Sequence, residues 1–156
     1  MKKKISILII ISFLVILVDR ITKILVTNLI PYGKSITLIK KVFYLTNVHN
    51  IGAAFSIMEG NTIILICFSL LFLGLIIFYM YKYKKLNIEF AFVIGGLIGN
   101  LIDRIIYGYV IDFIGINIFK YSFPIFNIAD SLIVIGAILL IFRMDKVGDK
   151  IETNSK

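Results

Sequence analysis

The sequence has few of the residues that soluble enzymes use for nucleophilic catalysis, metal binding or covalent cross-links. It contains one cysteine, one histidine, two prolines and no tryptophan in 156 residues. A single cysteine excludes an internal disulfide framework and a cysteine-rich metal site. Cys67 lies inside an apolar run and His49 in a polar stretch, so a cysteine–histidine nucleophile is not expected. We predict that no metal and no cofactor is required.

Apolar residues are abundant instead. They make up 60% of the chain, and the mean hydropathy is +1.00, whereas soluble domains contain roughly 45 to 50%. About 20 apolar helical residues cross a hydrocarbon core of roughly 30 Å, so only a few spans fit into this length. The composition predicts an all-α integral membrane protein with a single membrane-embedded domain over residues 1–156.

Four transmembrane helices are predicted, over residues 5–26, 61–81, 88–108 and 124–142. An even number places both termini on one side of the membrane. Basic residues cluster in the two tails and in the turn at 82–85, which hold ten of the 17 lysines and arginines, and this distribution makes that side the cytoplasm. No small-x-small cleavage site follows the first apolar run, so we expect that run to stay as a helix.

The net charge of +8 raises the question of a nucleic-acid partner. The basic residues cluster at the ends of the predicted spans and do not interleave with aromatic residues along a polar face, as a nucleic-acid groove requires. We therefore expect membrane lipids, and no nucleic acid, as partners.

Two segments are predicted to be extracytoplasmic, residues 29–60 and 109–123. The first contains short β-prone runs at 35–39 and 42–46, which predict a small sheet resting on the outer leaflet. The second is apolar and aromatic, which favours a short interfacial helix or a re-entrant piece. Pro124 is expected to open the fourth helix, since proline is tolerated in a first helical turn.

Polar residues recur inside the third predicted span. Asn100, Asp103 and Arg104 are spaced i, i+3 and i+4, so they share one helical face, which must point inward. We interpret Asp103 and Arg104 as a structural ion pair or as support for a reacting carboxylate. Asp19 and Lys23 form a further i, i+4 pair in the first span, for which a structural role is the simpler interpretation.

Two further carboxylates carry the functional hypothesis. Asp130 lies within the fourth predicted span with Asn127 three residues before it, and an acidic residue is rarely kept in a span without use. Asp112 follows the third span. If the connection folds back, the two acids meet near the outer surface, and two close carboxylates cannot both ionise cheaply. One then keeps a proton while the other activates water, which is the chemistry of aspartic proteases.

Five motifs in order give the chain a resemblance to the bacterial signal peptidase II (lipoprotein signal peptidase) family. They are Asp19-x-x-x-Lys23, Asn50-x-Gly-Ala-Ala-Phe55, Gly99-Asn-Leu-Ile-Asp-Arg104, Gly108-Tyr-Val-Ile-Asp-Phe113 and Phe126-Asn-Ile-Ala-Asp-Ser131.

The resemblance implies a membrane aspartic endopeptidase that cleaves signal peptides from diacylglyceryl-modified prolipoproteins, before the lipidated cysteine. It implies Asp112 and Asp130 as the catalytic dyad. The polar residues that it implies for support and substrate binding are Asn50, Asn100, Asp103, Arg104 and Asn127. The expected location is the bacterial plasma membrane, with the active site toward the extracytoplasmic face, and we expect a monomer.

Two alternatives come from other classes of protein. A proton-coupled carrier or channel subunit could relay protons through Asp19, Asp103 and Asp130, although the repeated halves common in carriers are not evident. A structural scaffold subunit would leave the pair of Asp112 and Asp130 without a use.

Overall fold

The computed structural model describes residues 2–52, 60–119 and 121–153, with side chains as far as residue 143. Helices and a small sheet alternate along the chain. In order, the elements are α1 (Lys2–Leu29), β1 (Ser35–Ile39), β2 (Phe43–Asn50), α2 (Thr62–Tyr83), α3 (Ile88–Tyr107), β3 (Val110–Ile118), β4 (Tyr121–Ser122) and α4 (Ile128–Thr153).

Three helices, α1, α2 and α3, are long and apolar enough to cross a membrane. Their bounds lie close to the first three predicted spans. Many large apolar side chains on α1 and α2 face outward, as expected where lipid is the solvent. Helix α3 is the most buried of the three, and it packs against α1, α2 and α4. The residues of α3 therefore hold the bundle together.

Small residues allow α3 to approach its neighbours closely. A Cβ atom added at Gly96 would lie 2.5 Å from the carbonyl oxygen of Ala129 in α4. One added at Gly99 would lie 2.8 Å from a carboxylate oxygen of Asp19 in α1. These contacts set the distance between helices that carry polar side chains, so the glycine face also positions the site.

Helix α4 begins at Ile128, and the prediction that Pro124 opens it is wrong. Phe126 is extended and bridges to Ile114 of β3 through two backbone hydrogen bonds of 2.8 and 3.1 Å. Asn127 then caps the helix. Its side-chain oxygen accepts from the N–H of Asp130 at 2.9 Å, and its own N–H donates to the Asp130 carboxylate at 3.2 Å. This reciprocal pair is a capping box.

The sheet is antiparallel with the strand order β1-β2-β3-β4. The β-prone runs of segment 29–60 are strands, as predicted. The interfacial helix predicted within 109–123 is wrong, because that segment forms β3 and β4. The segment is rich in β-branched residues, and pairing with β2 satisfies backbone groups of β2 that would otherwise form an open edge.

A small apolar cluster fixes the sheet over the end of α1. Val26 and Ile30 pack against Phe113 of β3, with Leu45 and Ile114 at the border of the cluster. Asn47 adds a hydrogen bond of 2.8 Å to the carbonyl of Ile30. The sheet therefore lies across the helix ends, with the first residues of β3 directly above the polar face of α3.

Candidate active site

Asp112 lies in β3, opposite Val48 of β2, and is only 2% exposed. Both of its carboxylate oxygens accept hydrogen bonds from side-chain amides. Asn127 donates to Oδ1 at 2.7 Å, and Asn50 donates to Oδ2 at 2.8 Å. Two neutral donors hold the carboxyl group in one orientation without supplying a counter-charge.

Asp130 lies in the first turn of α4. Its Oδ1 accepts from the side-chain amide of Asn100 at 2.7 Å, and its Oδ2 accepts from the backbone N–H of Asn127. A helix N-terminus favours negative charge because its first N–H groups point outward. The helix end and these two donors therefore stabilise negative charge on Asp130.

Asn127 connects the two aspartates. It is fully buried, its side-chain NH2 group donates to Asp112, and its side-chain oxygen caps the turn that holds Asp130. The same amide also contacts the side-chain oxygen of Asn100 at 3.1 Å. The structure thus brings Asp112, Asp130, Asn50, Asn100 and Asn127 into one hydrogen-bonded cluster.

Burial and, to a smaller extent, the nearby charge of Asp130 raise the pKa of the Asp112 carboxyl from an ordinary value of 3.8 to about 7. The hydrogen bonds from Asn50 and Asn127 act in the opposite direction, because they stabilise the ionised form. A carboxylic acid that titrates near neutrality can donate a proton at physiological pH.

Asp103 is fully buried, but the predicted ion pair with Arg104 is wrong. Asp103 pairs with Arg20 and Lys23 of α1, and its Oδ2 also accepts from the backbone N–H of Ile111 at 3.2 Å. Adjacent residues on a helix point in directions about 100° apart, so the side chains of Asp103 and Arg104 do not face each other. Asp103 instead ties α1 and β3 to α3.

Arg104 turns toward a cavity of about 240 Å³ between α2, α3 and α4. Its guanidinium also lies 3.5 Å from the carbonyl oxygen of Gly52. The cavity has a polar end and an apolar wall; its lining residues are Leu65, Phe68, Ser69, Phe72, Leu97, Asn100, Arg104, Asp130 and Ile133. Asp130 is therefore open to a space that could accept a chain with apolar groups.

The comparison with protein families agrees with this geometry. A family model described as signal peptidase (SPase) II matches residues 11–146. This chain belongs to the signal peptidase II family. Family membership replaces the carrier and scaffold alternatives, and it makes the chain a bacterial membrane protein of a peptidase family.

Similar proteins extend the signal peptidase II assignment over nearly the whole chain. A protein of Halothermothrix orenii named "Lipoprotein signal peptidase" is 41% identical over 146 residues, which cover 90% of this chain and 98% of the relative. Two solved structures, each described as a bacterial membrane enzyme obtained by the in meso method, are both 34% identical. The 2.3 Å structure has a TM-score of 0.83 and covers 91% of this chain and 89% of its own. The 1.9 Å structure has a TM-score of 0.80 and covers 90% and 93%.

Lys23 has a larger part in this signal peptidase II chain than its sequence spacing indicated. It is fully buried, and its Nζ lies 2.8 Å from Asp19, 2.7 Å from Asp103 and 3.0 Å from the side-chain oxygen of Asn100. The predicted pair with Asp19 is confirmed. The link to Asn100 was missed, because spacing along one helix carries no information about a neighbouring helix. By occupying the Asn100 oxygen, Lys23 directs the Asn100 amide toward Asp130.

The remaining residues singled out in the sequence have simpler roles. The His49 ring is stacked on Tyr109 at a centroid distance of 3.8 Å and makes a tilted contact with Tyr32 at 4.4 Å. Burial lowers its pKa below the ordinary value. This fits a structural histidine. Cys67 is exposed on α2. The part of the Asn50–Phe55 motif after Gly52 lies outside the described residues.

Proposed function

We propose that this signal peptidase II chain is an aspartic endopeptidase that uses Asp112 and Asp130 as its catalytic dyad. Its substrates are prolipoproteins that carry a diacylglyceryl group on cysteine, and it cuts just before that cysteine. The observation that carries the proposal is the shared Asn127, which donates to one carboxylate and caps the helical turn of the other.

The two aspartates differ in environment, and this supports a division of roles. Asp112 is held by two neutral amides and has a pKa near 7, so we assign the resting proton to it. Asp130 lies beside the cavity at a helix N-terminus, which stabilises negative charge, so we assign the ionised form to it. The ionised carboxylate is the base, and the protonated one is the acid.

Hydrolysis then needs no nucleophile from the protein. Asp130 takes a proton from a water molecule while the water oxygen attacks the scissile carbonyl, and Asp112 donates its proton to the carbonyl oxygen. In the tetrahedral intermediate, the C–N bond breaks as the amine takes a proton from Asp130 and the hydroxyl proton returns to Asp112. The two products are a carboxylic acid and a free amine, and both aspartates regain their starting states.

The polar neighbours position these groups and the substrate. Asn50 and Asn127 fix the Asp112 carboxyl, Asn100 fixes that of Asp130, and Asp103 anchors Asn100 through Lys23. Arg104 lies between the cavity and the backbone of Gly52, which suits hydrogen bonding to a substrate carbonyl. Preorganised donors of this kind stabilise charge that develops in the transition state.

A lipid-anchored substrate has to reach the dyad from within the membrane. Helix α2 packs on α3 and has no substantial contact with α4 among the described residues, and the cavity lies between them. Leu65, Phe68 and Phe72 of α2 form an apolar wall that is suited to acyl chains. We infer that the substrate enters laterally between α2 and α4.

We propose that α4 is the fourth membrane span. This helix has 26 residues and is about 39 Å long at 1.5 Å per residue, enough to cross the bilayer as the fourth span. Four spans and the distribution of lysines support a topology with both termini in the cytoplasm and the dyad toward the extracytoplasmic face. One copy supplies both aspartates, so we propose that the monomer is the active unit.

A lipidated signal-peptide substrate and purified protein test the proposal. Asp112→Asn and Asp130→Asn should each reduce cleavage by at least about a thousandfold, because each removes one of two proton-transfer groups. The matched control is Glu89→Gln, which neutralises a carboxylate paired with Arg143 at 2.5 Å at the other end of α3. Full activity in either aspartate variant, with folding intact, would exclude the dyad.

A further inference from the structure

Two turns lie side by side at the end of the sheet that is remote from the aspartates. Asp112 pairs near one end of β2 and β3, whereas Phe43 pairs with Ile116 near the other end. Beyond that pair, the backbone N–H of Asn117 donates to the carbonyl of Val42 at 2.8 Å. We call these two turns the sheet tip; its described residues are Leu38, Ile39, Lys40, Lys41, Val42, Ile118, Phe119 and Tyr121.

The sheet tip exposes large apolar side chains. Phe119 is 99% exposed, and Leu38, Ile39 and Ile118 are each more than half exposed. Phe119 also has a φ of 57°, a conformation that is uncommon for a bulky residue, so the turn keeps an aromatic ring outward at a local cost. Clustered exposed apolar residues indicate a contact surface.

The charge of this region selects an anionic partner. Residues 30–52 contain Lys34, Lys40 and Lys41 and no acidic residue. Lys40 and Lys41 lie in the tip itself, between Ile39 and Val42, and both are exposed. Apolar and aromatic residues beside lysines are the composition of surfaces that bind the interface of anionic membranes.

The position of the tip relative to the bundle favours lipid over a protein partner. The middle of the sheet packs on Val26 and Ile30 at the end of α1, so the sheet lies across the helix ends. Strands β1 and β4 have no substantial contact with any helix among the described residues. The tip therefore lies clear of the described helices, and nothing in the described bundle covers its apolar side chains.

We propose that the sheet tip inserts into the headgroup layer of an anionic phospholipid leaflet, with Phe119 and Ile39 in the acyl boundary and Lys40 and Lys41 on lipid phosphates. Because the tip and the dyad lie on the same two strands, this contact also fixes the height of Asp112 above the lipid. The proposal requires the sheet to face a leaflet, but it does not depend on the proposed catalysis.

The absence of tryptophan makes a direct test possible, since Phe119→Trp introduces the only indole in the chain. The full-length variant is reconstituted in vesicles of equal parts phosphatidylcholine and phosphatidylglycerol that carry bromine either near the headgroup or near the end of the acyl chain. We expect stronger quenching by the shallow bromine. Leu71→Trp, on the exposed side of α2, is the reference and should show the opposite order.

Charge is tested in the same variant by adding Lys40→Gln and Lys41→Gln. The ratio of inserted to water-exposed tip should fall about fivefold for each lysine removed, which is the equivalent of about 1 kcal/mol per charge near an anionic surface. Omitting phosphatidylglycerol should also lower the ratio of inserted to water-exposed tip.

Quenching no stronger than that of a free indole in the same sample would overturn the proposal. So would a blue-shifted emission that lipid bromine does not quench and that depends on protein density, because a second copy would then cover the tip. Cleavage of a lipidated peptide is measured in parallel, so failure of the proposed catalysis is seen separately.

Discussion

The state of Asp112 sets the pH range in which the dyad works. Its pKa is raised to about 7, so the acid is present below that pH and is lost as pH rises through it. We therefore expect kcat/KM to fall on the basic side of about pH 7, since this parameter reports groups of the free enzyme.

Asn50→Ala removes a hydrogen bond that lowers the Asp112 pKa, so the basic limb should move to higher pH, by roughly one unit. The measurement is a pH profile of kcat/KM in constant lipid and salt. His49→Gln is the control. Burial holds the His49 pKa below its usual value, so His49 does not produce the basic limb, and its replacement should leave that limb at the same pH. An unchanged limb in Asn50→Ala would contradict the assignment of the proton to Asp112.

Lys23 lies between two buried carboxylates, and its removal should cost stability. Lys23→Met leaves Asp19 without its cation, and Asp103 retains only Arg20. An uncompensated buried charge costs about 3 to 5 kcal/mol of the free energy of unfolding. Thermal denaturation in detergent should show a lower midpoint, with partial recovery in the double variant Asp19→Asn with Lys23→Met. Lys34→Met, at an exposed position, should leave the midpoint unchanged.

Single residues show what could be predicted at this scale. The spacing of Asn100 and Asp103 identified two polar groups on one helical face, and that of Asn127 and Asp130 marks the cap and the first turn of α4. In the structure all four residues belong to the polar cluster or are joined to it through Lys23. The partner across helices was not predictable in the same way. Asp103 pairs with Arg20 because α1 and α3 approach each other through small residues. The spacing of residues within a single helix does not give the distance between two helices.

At the scale of elements, the helices follow from apolar length, but the segment after α3 does not. Residues 110–118 are apolar enough to suggest an interfacial helix. They form a strand because they pair with the neighbouring strand β2. The need to pair the edge of β2 is a tertiary constraint, and it overrides local preference. A tertiary contact also determines where α4 starts. The bridge between Ile114 and Phe126 keeps the residues before the helix extended.

Contact between α3 and α4 can be tested by adding one methyl group. In Gly96→Ala the new Cβ meets the carbonyl of Ala129, one residue before Asp130, at 2.5 Å. We expect a loss of about 1 to 3 kcal/mol of stability from overpacking and a drop in kcat, because Asp130 is displaced from Asn100. The measurements are thermal denaturation and cleavage of a saturating substrate.

Gly74→Ala is the matched control for that substitution. It lies in α2, and a Cβ there would meet no atom within 4 Å, so alanine should stabilise the helix by about 0.5 to 1 kcal/mol through its higher helix propensity. Equal effects of the two substitutions would contradict a specific contact between α3 and α4.

For the whole molecule, the arrangement of the site within one copy leads to a strict expectation. Asn127 donates to Asp112 of its own chain and caps the helix of its own Asp130, so no second copy is needed to complete the dyad. Co-reconstitution of Asp112→Asn with Asp130→Asn should therefore restore no cleavage at any ratio of the two variants. In the control, an equal mixture of Asp112→Asn and Glu89→Gln should have only the activity of the Glu89→Gln protein that it contains. If the two aspartate variants complemented each other, an intact pair would have to form between chains, by exchange of α4 or of the sheet. The monomer could then not be the active unit. Because each variant removes a single carboxyl group and leaves its amide neighbours in place, the mixture distinguishes a dyad within one chain from a dyad between two chains without altering the fold of either chain.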